Sequence, residues 1–323
     1  MQGLEARARD LEFSIVCGPD EEMLLGLLDS IKRSMKDAKW SWGVTVTCNG
    51  TDPSLGHRLR TRFPGFAIIE NRSTKGFADT HNRVLRVSRA RYVWILEDDL
   101  LILPDTVRVI TDFLDRAQNS RVGVAAPQLL NPDGTPQPSA YGFPSMKDVA
   151  LAHLGFPGNA APREVAKSAT SNGNTVELAG SVKIADVDTL PKTCMVVRTS
   201  ALRQVGPMVA NAEEGSETME WHRRFHEQGW RVSRCLAATV IHYGGQAGWS
   251  SSRPTDAQRL ERDLFFFRSG RRSATYSFFC ASLAVTFAAR AGVAWLRRDT
   301  ASSATARRCV RLALNGIAQP VAN

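Results

Sequence analysis

The feature that most restricts this chain is an alternation, through its first half, of short apolar runs with longer segments of helical periodicity. FSIVC (Phe13–Cys17), WGVTVTC (Trp42–Cys48), FAIIE (Phe66–Glu70) and YVWIL (Tyr92–Leu96) read as strands. Between the first two, apolar residues fall at Met23, Leu24, Leu27, Leu28, Ile31 and Met35, the spacing of one helix face. GFADTHNRVLRVSRA before YVWIL and DTVRVITDFLDRA after Pro104 are two more helices, and VGVAAP is a further strand. Strands separated by helices predict a mostly parallel sheet, flanked by helices on both faces, in an α/β fold. In such sheets ligands bind beyond the carboxyl ends of the strands, so the residues that follow each strand matter most.

Further on, residues 150–187 are rich in Gly, Pro, Ala, Ser and Asn and read as loops with weak strands. The alternation resumes with TCMVVR (Thr193–Arg198). A polar helix over Glu217–Gln228 follows, then two short strands ending near His242. With 323 residues, 43% of them hydrophobic, the chain can bury one large domain with an appendage: 1–252 for the domain and 253–323 for a tail. Met1–Asp10 is charged and polar, unlike a secretory leader. The six cysteines show no CxxC and no zinc-like spacing, which predicts free thiols in a reducing, cytoplasmic setting.

Directly after YVWIL come Glu97, Asp98 and Asp99. Three successive carboxylates repel one another unless a cation or hydrogen-bond donors gather them. Mg²⁺ or Mn²⁺, hard ions that take oxygen ligands, commonly bridge such groups to a diphosphate. An acidic turn ahead of the helix after Pro104 is the plainer alternative.

The surroundings extend the pattern. Upstream lies ENRSTKGFADTHNRVL, with Asn71, Gly76, Phe77, Ala78 and Asn82; downstream of Asp99 lie Pro104, Asp105 and Thr106, then LLNPDGT (Leu130–Thr135), then Phe143 and Pro144. In this order and spacing the set resembles the family 2 glycosyltransferases, especially their rhamnosyltransferase-like branch, over roughly residues 12–270. The resemblance implies a GT-A fold, a Rossmann-like nucleotide-binding sheet. It implies that Asp99, with Asp98, holds a divalent metal (Mg²⁺ or Mn²⁺) on the diphosphate of a nucleotide-sugar donor. His242, in VIHYGGQ, assists the metal, and Cys48, Asn49, Asp52, Gly76, Asn82 and Asp98 lie along the nucleotide.

The chain departs from that pattern in three places. Where the family has Asp-Asn at the end of the second strand, the Asp meeting the base, this chain has Cys48-Asn49; a thiol is a poor acceptor, so base selection is altered or passes to Asp52. The family's Glu-Asp, whose Asp is the usual base, falls on Glu217-Thr218 when counted back from Gly229-Trp230. A threonine hydroxyl takes no proton at neutral pH, which leaves Glu217 or Glu220, three residues apart on one helix face, as catalytic base. Alternatively both acids only favour a helix N-terminus behind Ser216 as its cap. Third, Lys192-Thr193 replaces Gly-Ala before TCMVVR, and Met208-Val209-Ala210 replaces Phe-Asp-Glu. His222 and His226 stand at i, i+4 like a metal pair, but no third ligand is evident, and the intervening Arg223 and Arg224 place them on a solvated face.

The tail holds nearly all the excess charge: from Arg253 onward there are twelve arginines, no lysine and four acids, a net of +8 out of +9. Tyr276–Ala289 gives 14 apolar or small positions, and continuing through Arg290 to Leu296 gives 21. The shorter stretch falls below the ~20 residues needed to span a bilayer. An amphipathic helix seated in an anionic membrane surface, with Arg271, Arg272, Arg297 and Arg298 at the headgroups, is the reading that fits. Grouped aromatics (Phe265–Phe267, Phe278-Phe279) argue against stacking on bases, and so against a nucleic-acid partner. A helical hairpin packed on the domain or on a second copy, forming a homodimer, is the alternative.

Together these features predict an inverting glycosyltransferase acting on a lipid-linked or polysaccharide acceptor at the inner face of the cell membrane. One rival is a degenerate member that binds a nucleotide sugar or a partner without turnover. A nucleotidyltransferase is a weaker one, since only Gly18-Pro19-Asp20 follows the first strand in place of a glycine-rich phosphate loop.

Overall fold

The computed structural model describes residues 9–18, 20–154, 175–178, 182–210, 216–244, 255–268 and 274–318. Its elements run β1 (Leu11–Cys17), α1 (Glu21–Ser34), β2 (Trp42–Asn49), α2 (Leu55–Arg62), β3 (Ala67–Asn71), α3 (Phe77–Val87), β4 (Tyr92–Leu96), β5 (Leu100–Ile102), α4 (Thr106–Asp115) and β6 (Val122–Leu130). They continue with α5 (Met146–His153), β7 (Thr175–Leu178), β8 (Val182–Asp186), β9 (Cys194–Arg198), α6 (Thr199–Val205), α7 (Ser216–Glu227), β10 (Arg231–His242), α8 (Asp256–Arg268), α9 (Ala274–Leu296) and α10 (Thr300–Ala318).

The strands form one sheet in the order β3-β2-β1-β4-β9-β6-β10-β8-β7, with β5 paired to β10. The four strands β3, β2, β1 and β4 are parallel, as their helical crossovers require. β9 runs antiparallel to both neighbours, β4 and β6. This is the expected GT-A, Rossmann-like sheet, flanked by helices and followed by C-terminal helices.

Two-residue periodicity sorts the core. Tyr92, Trp94 and Leu96 of β4 enter one apolar cluster with Leu24, Leu27 and Leu28 of α1 and Ile110 and Phe113 of α4. Val93 and Ile95 enter the opposite one with Val84 and Leu85 of α3 and Trp221 and Phe225 of α7. A strand buried on both faces reads as a continuous apolar run, which is why YVWIL is legible.

Several elements differ from the sequence reading. α2 is an added helix; LGHRLRTR buries only Leu55, Gly56 and Leu59, too few apolar positions to show a period. The two short strands before His242 are one strand, β10, whose register against β6 slips between Cys235 and Thr239. That irregularity breaks the alternation along the sequence while the strand continues. Within 150–187 the structure gives the end of α5, capped at Ser145, and the antiparallel pair β7–β8; residues 155–174 and 179–181 lie outside the described residues. The α7 face bearing His222 is not solvated: His222 is fully buried, its Nδ1 within 2.8 Å of the Thr189 hydroxyl and accepting the Leu190 N–H. Arg224 of that helix donates to the Val205 and Pro207 carbonyls.

The chain divides into two units. The sheet unit comprises 1–142, 164–211 and 221–251, and the helical unit 143–163, 212–220 and 252–323, so the tail shares its unit with two segments from mid-chain. In the helical unit Val149 of α5, Leu260 and Leu264 of α8, Phe279, Leu283 and Phe287 of α9 and Ala313 of α10 form one cluster. Gly316 allows the close approach: a Cβ there would lie 3.1 Å from Cys280 Sγ and 3.2 Å from the Tyr276 hydroxyl. Arg298, at φ 59°, turns the chain between α9 and α10, and Asp299 caps α10 by accepting the Ser302 N–H. Arg271 and Arg272 lie outside the described residues. All six cysteines are free and buried.

Candidate metal and donor site

The carboxyl end of β4 is where the sheet gathers charge. β5 begins one residue after Asp99 and pairs antiparallel with the end of β10, setting Leu100 opposite His242. The Tyr243 N–H donates to the Asp99 carbonyl at 3.0 Å. Residues 143 positions apart are thereby held side by side, and His242 Nε2 lies 3.3 Å from Asp99 Oδ2. Glu97 completes a trio whose ligand atoms all lie within 4.8 Å of one another.

Asp98 is not in that trio. Its carboxylate instead accepts the Gly18 N–H at the end of β1, 2.5 Å away. Along an extended chain residues i and i+2 share a side and i+1 takes the other, so Glu97 and Asp99 face together while Asp98 faces β1. The metal pair read from the sequence, Asp98 with Asp99, is replaced geometrically by Glu97 with Asp99.

Donor chemistry and spacing suit a divalent ion. Oxygen or nitrogen ligands about 2.1 Å from an octahedral ion sit roughly 3–4 Å apart, comparable to the trio's separations. Two carboxylates and an imidazole suit Mn²⁺ or Mg²⁺. A neighbouring glutamine sets the imidazole. Gln137 Nε2 donates to His242 O and Asn131 Oδ1, each at 2.8 Å. Both partners are carbonyl oxygens, so the amide orientation is decided and Oε1 accepts from His242 Nδ1 at 2.7 Å. In the neutral ring Nε2 is then left as a lone pair turned toward Asp99. The LLNPDGT turn supplies this clamp: Asn131 and Thr135 close it backbone to backbone at 2.7 Å, and Gln137 follows two residues later.

Charge perturbs the groups here. Burial first, and then repulsion from Asp99 and Glu97, push the Asp98 carboxyl up to about 6 against the pull of the Gly18 N–H. Burial alone would lower the His242 imidazole; the hydrogen bond to Asp99 and the charges of Asp99 and Glu97 outweigh it and raise it. Lys192 Nζ lies 3.1 Å from Glu97 Oε1 and 5.5 Å from the Phe77 ring centroid. This lysine, which occupies a Gly-Ala position of the resembling family, brings positive charge to the same strand end.

The expected nucleotide residues lie at or just beyond the ends of β2 and β4 and along α3, but most of their polar atoms are already engaged. Asn49 Nδ2 donates to Lys75 O, and its Oδ1 accepts from Lys75 N and Asn71 Nδ2. Asn82 clasps the Met208 backbone, donating to O at 2.8 Å and accepting from N at 3.0 Å. Both therefore position loops. Gly50, at φ 74°, lets the 71–75 loop close over it, since a Cβ would lie 2.4 Å from Thr74 Oγ1. Gly76 leaves its surroundings open: a Cβ there would meet only the Asp79 carboxylate, at 3.9 Å. Cys48 is buried and accepts a hydrogen bond from Cys17 directly across the β1–β2 register, which lowers its thiol pKa and raises that of Cys17. Asp52 accepts from the Ser54 N–H and hydroxyl and from Arg58, contacts that hold its carboxyl down at about 2.

Glu217 and Glu220 lie in the first turns of α7, in the helical unit, 3% and 2% exposed. Glu97, Gln137 and Lys192 are the residues that sequence reasoning left without a role. Two-residue alternation would have found Glu97; Gln137 and Lys192 reach the site only through β10 and β9.

No protein-family profile matches the chain. It is 23% identical over 110 residues to the uncharacterised protein y4gI of Sinorhizobium fredii, covering 33% of this chain and only 12% of that relative. Three solved structures are similar in fold. A mannosyltransferase of Pyrobaculum calidifontis in complex with GDP-Man and Mn²⁺ has TM-score 0.51 and 13% identity, over 96% of this chain and 88% of that one. GalNAc-T7 with UDP, GalNAc and Mn²⁺ has TM-score 0.53 and 10% identity, over 81% of this chain and 50% of that one. TarS of S. aureus in complex with UDP-GlcNAc has TM-score 0.50 and 12% identity, over 96% and 90%.

Proposed function

We propose that this chain is a metal-dependent, inverting glycosyltransferase of the family 2 type. It would move a sugar from a nucleoside-diphosphate donor to a hydroxyl of a glycolipid or polysaccharide at the cytoplasmic face of a membrane. The observation that carries the reading is the Glu97–Asp99–His242 trio at the carboxyl end of the central strand, where a sheet of this kind binds ligands. A divalent ion held there would neutralise the charge that builds on the departing diphosphate.

The chain's own residues account for the rest. Gln137 orients His242, Asp98 anchors the strand end to Gly18, and Asn49 and Asn82 hold the donor walls. Lys192 adds positive charge where the leaving group departs. In the transfer, the acceptor oxygen bonds to the anomeric carbon from the face opposite the diphosphate and its proton passes to a carboxylate. The carbon–oxygen bond to the diphosphate breaks, and the electron pair leaves with that group. Glu217 and Glu220 are the carboxylates assigned as base, a role worth ~10²–10⁴ in rate. Membrane location is supported by α9, one helix of 23 residues long and apolar enough to cross a bilayer, but only about a quarter buried. One of its faces packs against α5, α8 and α10, which favours lying in the interface over spanning.

A second reading, binding without turnover, draws on Thr218 at the usual base position and on Lys192 already paired with Glu97. Thermal shifts with a panel of nucleotide sugars, with and without Mn²⁺, test the donor site, since a ligand of the native state raises the melting point. Stabilisation by one donor only with Mn²⁺ is expected, and no metal-coupled shift for any donor sinks the proposal. Transfer assays then separate the readings: Glu217→Gln or Glu220→Gln should abolish turnover while donor binding persists. Equal residual activity in both variants removes the base assignment.

A further inference from the structure

A cavity of about 390 Å³ opens at the amino-terminal edge of β4, at the opposite end of that strand from the acidic trio. Five arginines line it: Arg89, Arg91, Arg116, Arg198 and Arg203. Their partners decide what the cavity offers. Arg91 is neutralised, with Asp10 2.8 Å from Nε and Asp115 2.6 Å from Nη1. Asp115 is in turn used up, because it also accepts the Tyr92 hydroxyl at 2.8 Å. Arg198 is held rigidly by neutral acceptors alone: the carbonyls of Val122, Leu114 and Asn119, and the Tyr92 oxygen. Its charge is therefore fixed in place but uncompensated.

Arg89, Arg116 and Arg203 are exposed, and among the described residues none of the three makes an ion pair or side-chain hydrogen bond. Four guanidinium charges thus converge on one concavity without a free counter-charge. A second cavity of about 350 Å³ shows that this is not a general property of a basic chain. Its Lys39 and Arg108 are matched by Asp105 and Asp112 at 3.0–3.8 Å. Like charges facing one concavity focus its potential on an anion, and guanidinium groups match the oxygens of a phosphate in a forked, two-bond geometry. A volume of this size accepts a small organic phosphate.

We propose that this cavity is a second anion site, separate from the donor site, that takes a phosphate ester or diphosphate group. Arg198 forms its fixed floor and Arg89, Arg116 and Arg203 its closing rim. Ser200, in the same lining, adds a hydroxyl next to the floor, whereas the buried Thr199 hydroxyl is spent on the Ala90 carbonyl. The inference rests on the charge balance of this cavity and stands apart from the transferase reading.

The probe is inorganic pyrophosphate, titrated calorimetrically in EDTA so that metal-coupled binding at the trio is silent. A parallel arm uses vesicles of phosphatidylglycerol against phosphatidylcholine, to tell a soluble phosphate from a lipid headgroup. The variant is Arg89→Ala/Arg116→Ala/Arg203→Ala. Its unliganded melting point should be no lower than wild type, since removing mutually repelling surface charges breaks no contact. Each arginine contributes roughly tenfold, so the triple variant should bind pyrophosphate at least about 10²-fold more weakly. Asp99→Asn should leave this metal-free binding unchanged. Loss of phosphatidylglycerol binding alone in the triple variant assigns the same site to a lipid headgroup. If the variant matches wild type in both arms, or wild type binds in neither, the site does not exist.

Discussion

The two units handle apolar surface in opposite ways. In the sheet unit most large apolar side chains of the strands are buried, and even polar groups such as His81, Asn82 and His222 sit inside with defined partners. In the helical unit, α9 buries Tyr276, Phe279, Leu283 and Phe287, yet leaves Phe278, Trp295 and Leu296 more than 70% exposed. Around the acidic trio the central strand β4 is buried at every residue. An uncovered apolar face of this kind comes at a cost in solubility. The net basic charge of the tail and the acidic trio thus belong to different units.

A change in one unit should leave the other's binding untouched. The largest effect is expected from Asp99→Asn: Mn²⁺-dependent donor binding should weaken by about 10²–10³-fold, as for loss of one focused electrostatic contact, while vesicle binding stays intact. Calorimetry and vesicle flotation on the same preparation check both halves. Next, Phe278→Ser/Val285→Ser/Trp295→Ser should cut partitioning into anionic vesicles by about 10²-fold, because burying each apolar side chain is worth a kcal/mol or more, and should leave donor affinity unchanged. If the triple change instead dissolves a dimer and spares vesicle binding, the face belongs to a second copy.

Acid should expose the sheet unit's buried histidines. Burial depresses His81 and His222 to about 3, with smaller contributions from Lys192 and His226 respectively, against an ordinary 6.5. Above pH 6.5 both rings are neutral whether the chain is folded or not, so their contribution is intact. Below it the unfolded chain takes up two protons that the native state refuses, and stability falls as pH drops toward 3. The slope approaches about 1.4 kcal/mol per pH unit for each ring. Urea midpoints at pH 7 and pH 5 for wild type and His81→Asn/His222→Asn measure it; equal slopes refute the assignment. The smallest effect concerns the site itself: Gln137→Ala should weaken Mn²⁺ binding by about tenfold by freeing the His242 ring, on top of a modest fall in the metal-free melting point from the three lost hydrogen bonds. A wild-type affinity in that variant would mean the glutamine does not orient the imidazole.

Much of this was legible in residues close in sequence. YVWIL is buried on both faces, so its strand character is written in its composition, and the acids after it mark a strand end. Alternation along Glu97, Asp98 and Asp99 already separates one carboxylate from the other two, though the sequence reading paired Asp98 with Asp99. Other features had no local signal. β10 reads as two strands because a register slip interrupts its pattern. Gln137 follows a turn with ordinary turn chemistry, and nothing near it announces His242. Arg89, Arg116, Arg198 and Arg203 look like scattered surface charges until the sheet brings their backbones to one edge.

The layered α/β architecture, the place along the chain where acids end a central strand, and the concentration of positive charge in an apolar tail can all be read from the residues alone. These follow from periodicity and composition, which act over a few residues. What needed the folded chain was the placing of Glu97, rather than Asp98, beside Asp99 and the expected His242, and the gathering of four arginines around a cavity with no acid left to pair them. Charges act through space, and the distances that set their partners are fixed by strand pairing between segments up to 143 residues apart, as between Asp99 and His242.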